Sequence, residues 1–169
     1  LIAACSEPGR SAIILSLDTG LRDQEVMSLT WEQVDFRNGT IRTGRKTKSG
    51  RERFVPLAQR SAQMLERRPR HFASPFVFFH PDGKRYGRMD KAFETAVRRA
   101  ELKDVRWHDL RRTFGVRRLR GEGCETSSME EVSTMLGHSS VAVTEKSYAF
   151  LDSEETAQKA AQGSRTRKK

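Results

Sequence analysis

Between residues 34 and 57 the chain drops the helical spacing of apolar residues found on either side and takes up the short alternating runs of strands. "VDFRNGTIRTG" sets the Asn38-Gly39 turn between two such runs, and "KTKSGRERFVPL" repeats the pattern around Ser49-Gly50. Two successive hairpins predict a small antiparallel sheet. The flanking sequence is helical in pattern. Ile13, Ile14 and Leu17 fit an amphipathic helix that stops at Thr19-Gly20, and Leu21, Val26 and Leu29 resume the period, with Thr30 placed to cap the following turn. Residues 59–68 read as helix up to Pro69, "PFVFFHPDGK" as a short apolar stretch stopped by a turn, and 89–100 as a second amphipathic helix. A helix opening at Asp109 runs to Gly121, Ser128 caps one that ends at Leu136-Gly137, and 153–161 is helical before a polar, basic tail. The expected fold is α+β: a mainly helical domain with one small antiparallel sheet.

With 169 residues the chain suits one domain with a real core. Its 32 Lys and Arg against 22 Asp and Glu give a net charge of +10, which favours a polyanionic partner, nucleic acid first. Cys5 and Cys124 match no metal-ligand spacing and predict unpaired thiols in a reducing compartment. The longest apolar runs, "AIILSL" and "FVFF", are too short to span a bilayer, so no membrane partner is expected. A soluble, cytoplasmic protein is the expectation. The chain opens inside an apolar pattern without an initiator methionine, which predicts a fragment of a longer protein.

Several residues suit phosphate chemistry, although each has an ordinary structural reading on its own. Tyr148 is the better of two candidate nucleophiles, because histidine and arginine motifs precede it while Tyr86 sits beside the Asp82-Gly83 turn. In "WHDLRRTFG", His108 and Arg111 are three apart on one helix face and can point at one anion, or else cap and solvate the helix. His138 follows the helix stop at Gly137, where an imidazole can cap carbonyls or bind phosphate. Arg22 opens a helix in "TGLRDQEVMSL", and Glu25, three residues on, can hold or cap it. Lys48 lies near a hairpin tip, from which a long side chain can swing into a site or stay solvated.

Taken in order, "TGLRDQEVMSLTW", "KTKSGRERFVPL", "WHDLRRTFG", "LGHSS" and the later tyrosine resemble the catalytic domain of the tyrosine recombinases, the phage integrase family. The resemblance spans about residues 10–150 and implies a tyrosine recombinase catalytic fold over 1–150. It also implies a C-terminal helix and basic tail over 151–169, and a core-binding domain upstream that this chain lacks. Carried over motif by motif, it makes Arg22 the first catalytic arginine, Lys48 the hairpin lysine, His108 and Arg111 the H-x-x-R pair, His138 the following histidine and Tyr148 the nucleophile. Lys48 is preferred to Lys46 because it stands eight residues before Pro56. Tyr148 stands ten residues after His138, where the common family spacing of nine would select Ser147, and "TEKSY" fits a family variant with the longer spacing.

The resemblance implies site-specific recombination of double-stranded DNA through a 3′-phosphotyrosyl intermediate, with no metal, no cofactor and no ATP, by protomers that assemble as a tetramer on DNA. Arginine forks suit the charge on a five-coordinate phosphorus, and they can supply what a metal ion supplies elsewhere. The alternatives are an inactive DNA-binding module of the same fold, a type IB topoisomerase that only nicks and reseals, and an RNA enzyme using its histidines as an acid-base pair.

Overall fold

A computed structural model describes residues 1–43 and 52–151. Helix α1 (Gly9–Thr19) is its central post. Ala12, Ile13, Leu15 and Ser16 are wholly buried, and the buried positions run more than halfway round the helix. The single apolar face expected from Ile13, Ile14 and Leu17 is therefore wider and turned, with Ile14 and Leu17 only partly covered. The cause is that α1 has neighbours on two sides. Ile13 packs with Phe93, Ala96 and Leu110, while Ala12 and Leu15 join Val26, Ile41, Val55 and Phe78 in the larger core.

Helix α2 (Asp23–Met27) follows at once, and the sheet comes next as β1 (Val34–Asp35), β2 (Thr40–Thr43) and β3 (Arg53–Pro56), antiparallel in that order. Ile41 stands opposite Val34 on one side and Val55 on the other, so one buried apolar row crosses all three strands. The first hairpin closes as expected near Asn38-Gly39, where the Asp35 carboxylate accepts from the Asn38 amide at 2.9 Å and from its side chain at 2.6 Å. The expected turn at Ser49-Gly50 lies outside the described residues.

Helix α3 (Gln59–Glu66) stops short of Pro69, and the "FVFF" stretch is tied to the core by Val77 N donating to Leu29 O at 2.8 Å. Helices α4 (Asp90–Arg99), α5 (Trp107–Arg120) and α6 (Met129–Leu136) complete most of the domain. Helix α5 begins two residues before Asp109, because that carboxylate accepts from the Arg106 amide at 2.7 Å and so caps the first turn from inside it. Ser128 caps α6 as expected, with Glu131 returning the bond. Residues 141–151 form a further helix, α7, which the sequence analysis did not identify; the helix expected at 153–161 lies outside the described residues. Phe114 of α5, Val132 and Leu136 of α6, and Tyr148 and Leu151 of α7 make a third apolar group. Among the described residues no helix is long and apolar enough to cross a membrane.

Candidate functional site

Helices α1 and α6 both end on a glycine in the left-handed conformation, Gly20 at φ 65 and Gly137 at φ 64. Such ends expose carbonyls without intrahelical donors, and their partial negative charge attracts a cation. Arg111 on α5 serves both ends: Nη1 donates to Gly20 O at 2.7 Å and Nη2 to Leu136 O. A side chain at Gly20 would meet Phe114 Cδ1 at 2.6 Å and Leu136 Cδ2 at 2.8 Å, so glycine there also lets the three helices close on one another. Arg111 is only 3% exposed. Burial, with the positive charges of Arg22 and Arg53, pulls it down to about 9, so it stays a cation at neutral pH.

Arg22 stands at the N-terminus of α2 and is held by Glu25, whose carboxylate accepts from the Arg22 amide at 2.8 Å and from Nη1 at 3.2 Å. The Arg22 side chain remains 42% exposed and reaches to 3.5 Å from Gly137 O. Glu25 also receives Nη2 of Arg53 at 2.7 Å, with both partners of that pair almost wholly buried. Burial pushes the Glu25 carboxyl up, yet the bonds and charges from Arg53 and Arg22 outweigh it and hold the group below its ordinary value. The Nε of Arg53 donates to Met135 O at 2.9 Å, which ties β3 to the end of α6.

His138 comes one residue after Gly137, and its Nδ1 lies 2.7 Å from Thr144 Oγ1 on α7. When Nδ1 accepts from that hydroxyl, Nε2 carries the ring proton and becomes a donor. Burial, followed by the charges of Arg111, Arg22, His108 and Arg53, lowers the ring to about 4, so it is neutral at physiological pH. Thr144, Tyr148 and Leu151 share the buried face of α7, one helical turn apart, while Ser147 is exposed and its hydroxyl bonds back to Val143 O at 2.7 Å. The tenth position after His138 therefore faces inward and the ninth faces solvent.

Tyr148 is 2% exposed. Its hydroxyl rests against Gly115 on α5, where an added Cβ would overlap Oη, so that glycine is the notch that admits the phenol. Burial raises the phenol above its ordinary value, while the charges of Arg111 and Arg112 act in the opposite sense.

Of the residues singled out by sequence, Arg22, Arg111 and His138 converge on the two helix ends, His108 lies exposed in the first turn of α5 within electrostatic reach of His138, and Tyr148 is buried against Gly115 of α5. Lys48, with its rival Lys46, lies outside the described residues. Arg53, Thr144 and Gly115 were missed. Arg53 had a readable signal, because it shares the inward phase of β3 with Val55, and a charge on that face demands a partner. Among the described residues no three His, Cys, Asp or Glu side chains cluster as a metal would need. Cys5 and Cys124 are unpaired thiols.

Residues 1–155 match the model of the Phage integrase family. The integrase of Salmonella phage P22 is 30% identical over 127 residues, covering 68% of this chain and 33% of that protein. Tyrosine recombinase XerC of Bifidobacterium longum (strain DJO10A) is 31% identical over 164 residues, covering 83% of this chain and 43% of its own length. The chain thus spans less than half of the curated relatives it matches. The solved catalytic domain of bacteriophage HP1 integrase superimposes with a TM-score of 0.65 at 27% identity, over 88% of this chain and 81% of that one.

Proposed function

The chain belongs to the phage integrase family, and from that membership we propose that it is the strand-cleaving part of a site-specific DNA recombinase working through a 3′-phosphotyrosyl intermediate. The supporting observation is the charge of the site: among the described residues the guanidinium groups of Arg22, Arg53 and Arg111 are opposed by the one carboxylate of Glu25, beside a tyrosine that feels the charge of Arg111. A cluster with surplus, partly desolvated positive charge suits an anion.

In the reaction, Tyr148 Oη attacks the scissile phosphorus, an Oη–P bond forms, the P–O5′ bond breaks and a 5′-hydroxyl departs. A second strand's 5′-hydroxyl reverses the step, so bond energy is conserved and neither ATP nor a metal ion is required. Arg22 and Arg111 clamp the non-bridging oxygens, and His138 adds an Nε2–H donor. Lys48 gives the leaving oxygen its proton, and His108 accepts or orients the proton of Tyr148. Because Oη lies covered against Gly115, α7 must shift to bring it to the phosphate. The partners are double-stranded DNA and further protomers, four on a pair of sites, in the bacterial cytoplasm.

The test is covalent trapping by the whole protein, in EDTA, on nicked duplexes from its own genomic neighbourhood. Wild type is expected to leave denaturant-resistant adducts with a 3′-phosphate on Tyr148, and Tyr148→Phe to leave none. Adducts that persist in Tyr148→Phe would remove the nucleophile assignment. Loss of either clamping arginine is expected to slow adduct formation on the order of a hundredfold.

A further inference from the structure

We propose that Arg53 is a positioning residue for this reaction: buried on β3, it fixes Arg22 through Glu25 and fixes the Gly137-His138 turn through the end of α6, so that both anion donors are set before DNA arrives. The inference rests on the recombinase reading above. Three contacts carry it. Nη2 meets Glu25 Oε2 at 2.7 Å, and the same carboxylate holds the Arg22 amide at 2.8 Å and Arg22 Nη1 at 3.2 Å. Nε donates to Met135 O at 2.9 Å, two residues before Gly137. A Cβ on Gly137 would lie 3.0 Å from Arg53 Cδ and 3.1 Å from Nη1, so the turn that presents His138 lies directly against this side chain.

Exposure and partner chemistry together separate Arg53 from the clamping groups. Arg22 is 42% exposed, and Arg111, though buried, is bound only by carbonyls, whereas Arg53 is 6% exposed and bound to a carboxylate, so it is placed to hold the site and not to meet the phosphate. A planar fork is needed for this work, because one donor must reach a carboxylate on α2 while another reaches a carbonyl on α6. Lysine can keep the first contact and lose the second.

The experiment compares wild type, Arg53→Lys, Arg53→Met and the double variant Arg53→Met with Glu25→Gln, each in the whole protein. Arg53→Met alone strips a buried carboxylate of its buried partner, leaving only the half-exposed Arg22, and can fail to fold. The double variant removes both charges while the introduced carboxamide oxygen still accepts from the Arg22 amide, and circular dichroism with a cooperative melt establishes that it is folded. Adduct formation is then timed at saturating nicked duplex. The folded double variant is expected to cleave about a hundredfold more slowly than wild type, the scale of a small misplacement of catalytic groups, with unchanged affinity for the duplex. Arg53→Lys should fall between the two.

A second readout does not depend on turnover. Inorganic phosphate is titrated in while the His138 ring resonance, assigned by its loss in His138→Gln, is followed. The double variant should need on the order of tenfold more phosphate for half-saturation, because its charge-assisted donors are no longer aligned. Wild-type cleavage rates in the folded double variant overturn the role of Arg53. If wild type forms no adduct, the recombinase reading falls, and the phosphate titration still decides: a weakened response keeps the positioning role, and equal responses overturn it.

Discussion

Gly115→Ala tests whether the phenol of Tyr148 occupies the notch on α5. The added methyl would overlap Oη and stand 3.0 Å from Cε1, and the ring is packed in one buried group with Phe114, Val132, Leu136 and Leu151. Replacing glycine by alanine inside a helix is worth about 0.5–1 kcal/mol in favour of folding. Forcing a methyl into a filled site costs about 1–3 kcal/mol. The difference predicts a net loss of up to about 2.5 kcal/mol, or a ring swung out of its slot to avoid it. A phenol that swings out should lose the desolvation that raises it and titrate closer to its ordinary value of about 10. Denaturant melts measure the first effect. Ultraviolet difference titration measures the second, in a Tyr86→Phe background that leaves Tyr148 as the sole tyrosine of the chain's two. A Gly115→Ala protein that melts later than its parent, with the phenol titration unchanged, would show that Tyr148 does not sit against Gly115.

Three further outcomes follow from the site. Arg111→Lys should cost about 1.5–3 kcal/mol in chemical denaturation, because one ammonium cannot reach both Gly20 O and Leu136 O; an unchanged midpoint would refute the double cap. The His138 ring should titrate by NMR at about 4 in the free protein and rise when phosphate is added, whereas a value near 6.5 would put it outside the cationic field. Since its folded value lies below the unfolded one, the unfolded chain binds more protons between them: this contribution is complete above about 6.5 and is lost as pH falls toward the folded value. Ser147→Ala should leave stability within about 0.5 kcal/mol and adduct formation intact; loss of adducts would return the nucleophile to the ninth position.

What could be read from the sequence was what local chemistry decides. Gly20, Gly121 and Gly137 end helices as expected, Ser128 caps α6, and Asn38-Gly39 closes the first hairpin, because each signal acts within a few residues of itself. Glu25 was also legible as the group that holds Arg22, since the two are one turn apart. Helix α7 was not. "VAVTEKSYA" opens on the β-branched residues Val141, Val143 and Thr144, and the helix follows from burying Thr144, Tyr148 and Leu151 on one side, a tertiary cause that the local pattern conceals. Gly115 was passed over for a related reason: a glycine inside a helix signals a close approach, yet the partner is Tyr148, thirty-three residues on.

The two buried arginines show how partner chemistry divides their work. Arg53 is bound by a carboxylate that it shares with Arg22, so its charge is partly offset within the fold. Arg111 is bound by the carbonyls of Gly20 and Leu136, which are dipoles at helix ends: they satisfy two of five N–H donors and fix the plane of the guanidinium, yet they do not cancel its charge. A carboxylate in their place would hold the group as firmly and leave no net attraction for an anion. Carbonyl capping accordingly gives a cation that is both immobile and uncompensated, with no reorganisation left to make when charge develops nearby. The same arrangement makes the proposed anion site depend on the ends of α1 and α6 remaining together, so a substitution that parts those ends should weaken anion binding even where no liganding residue is touched.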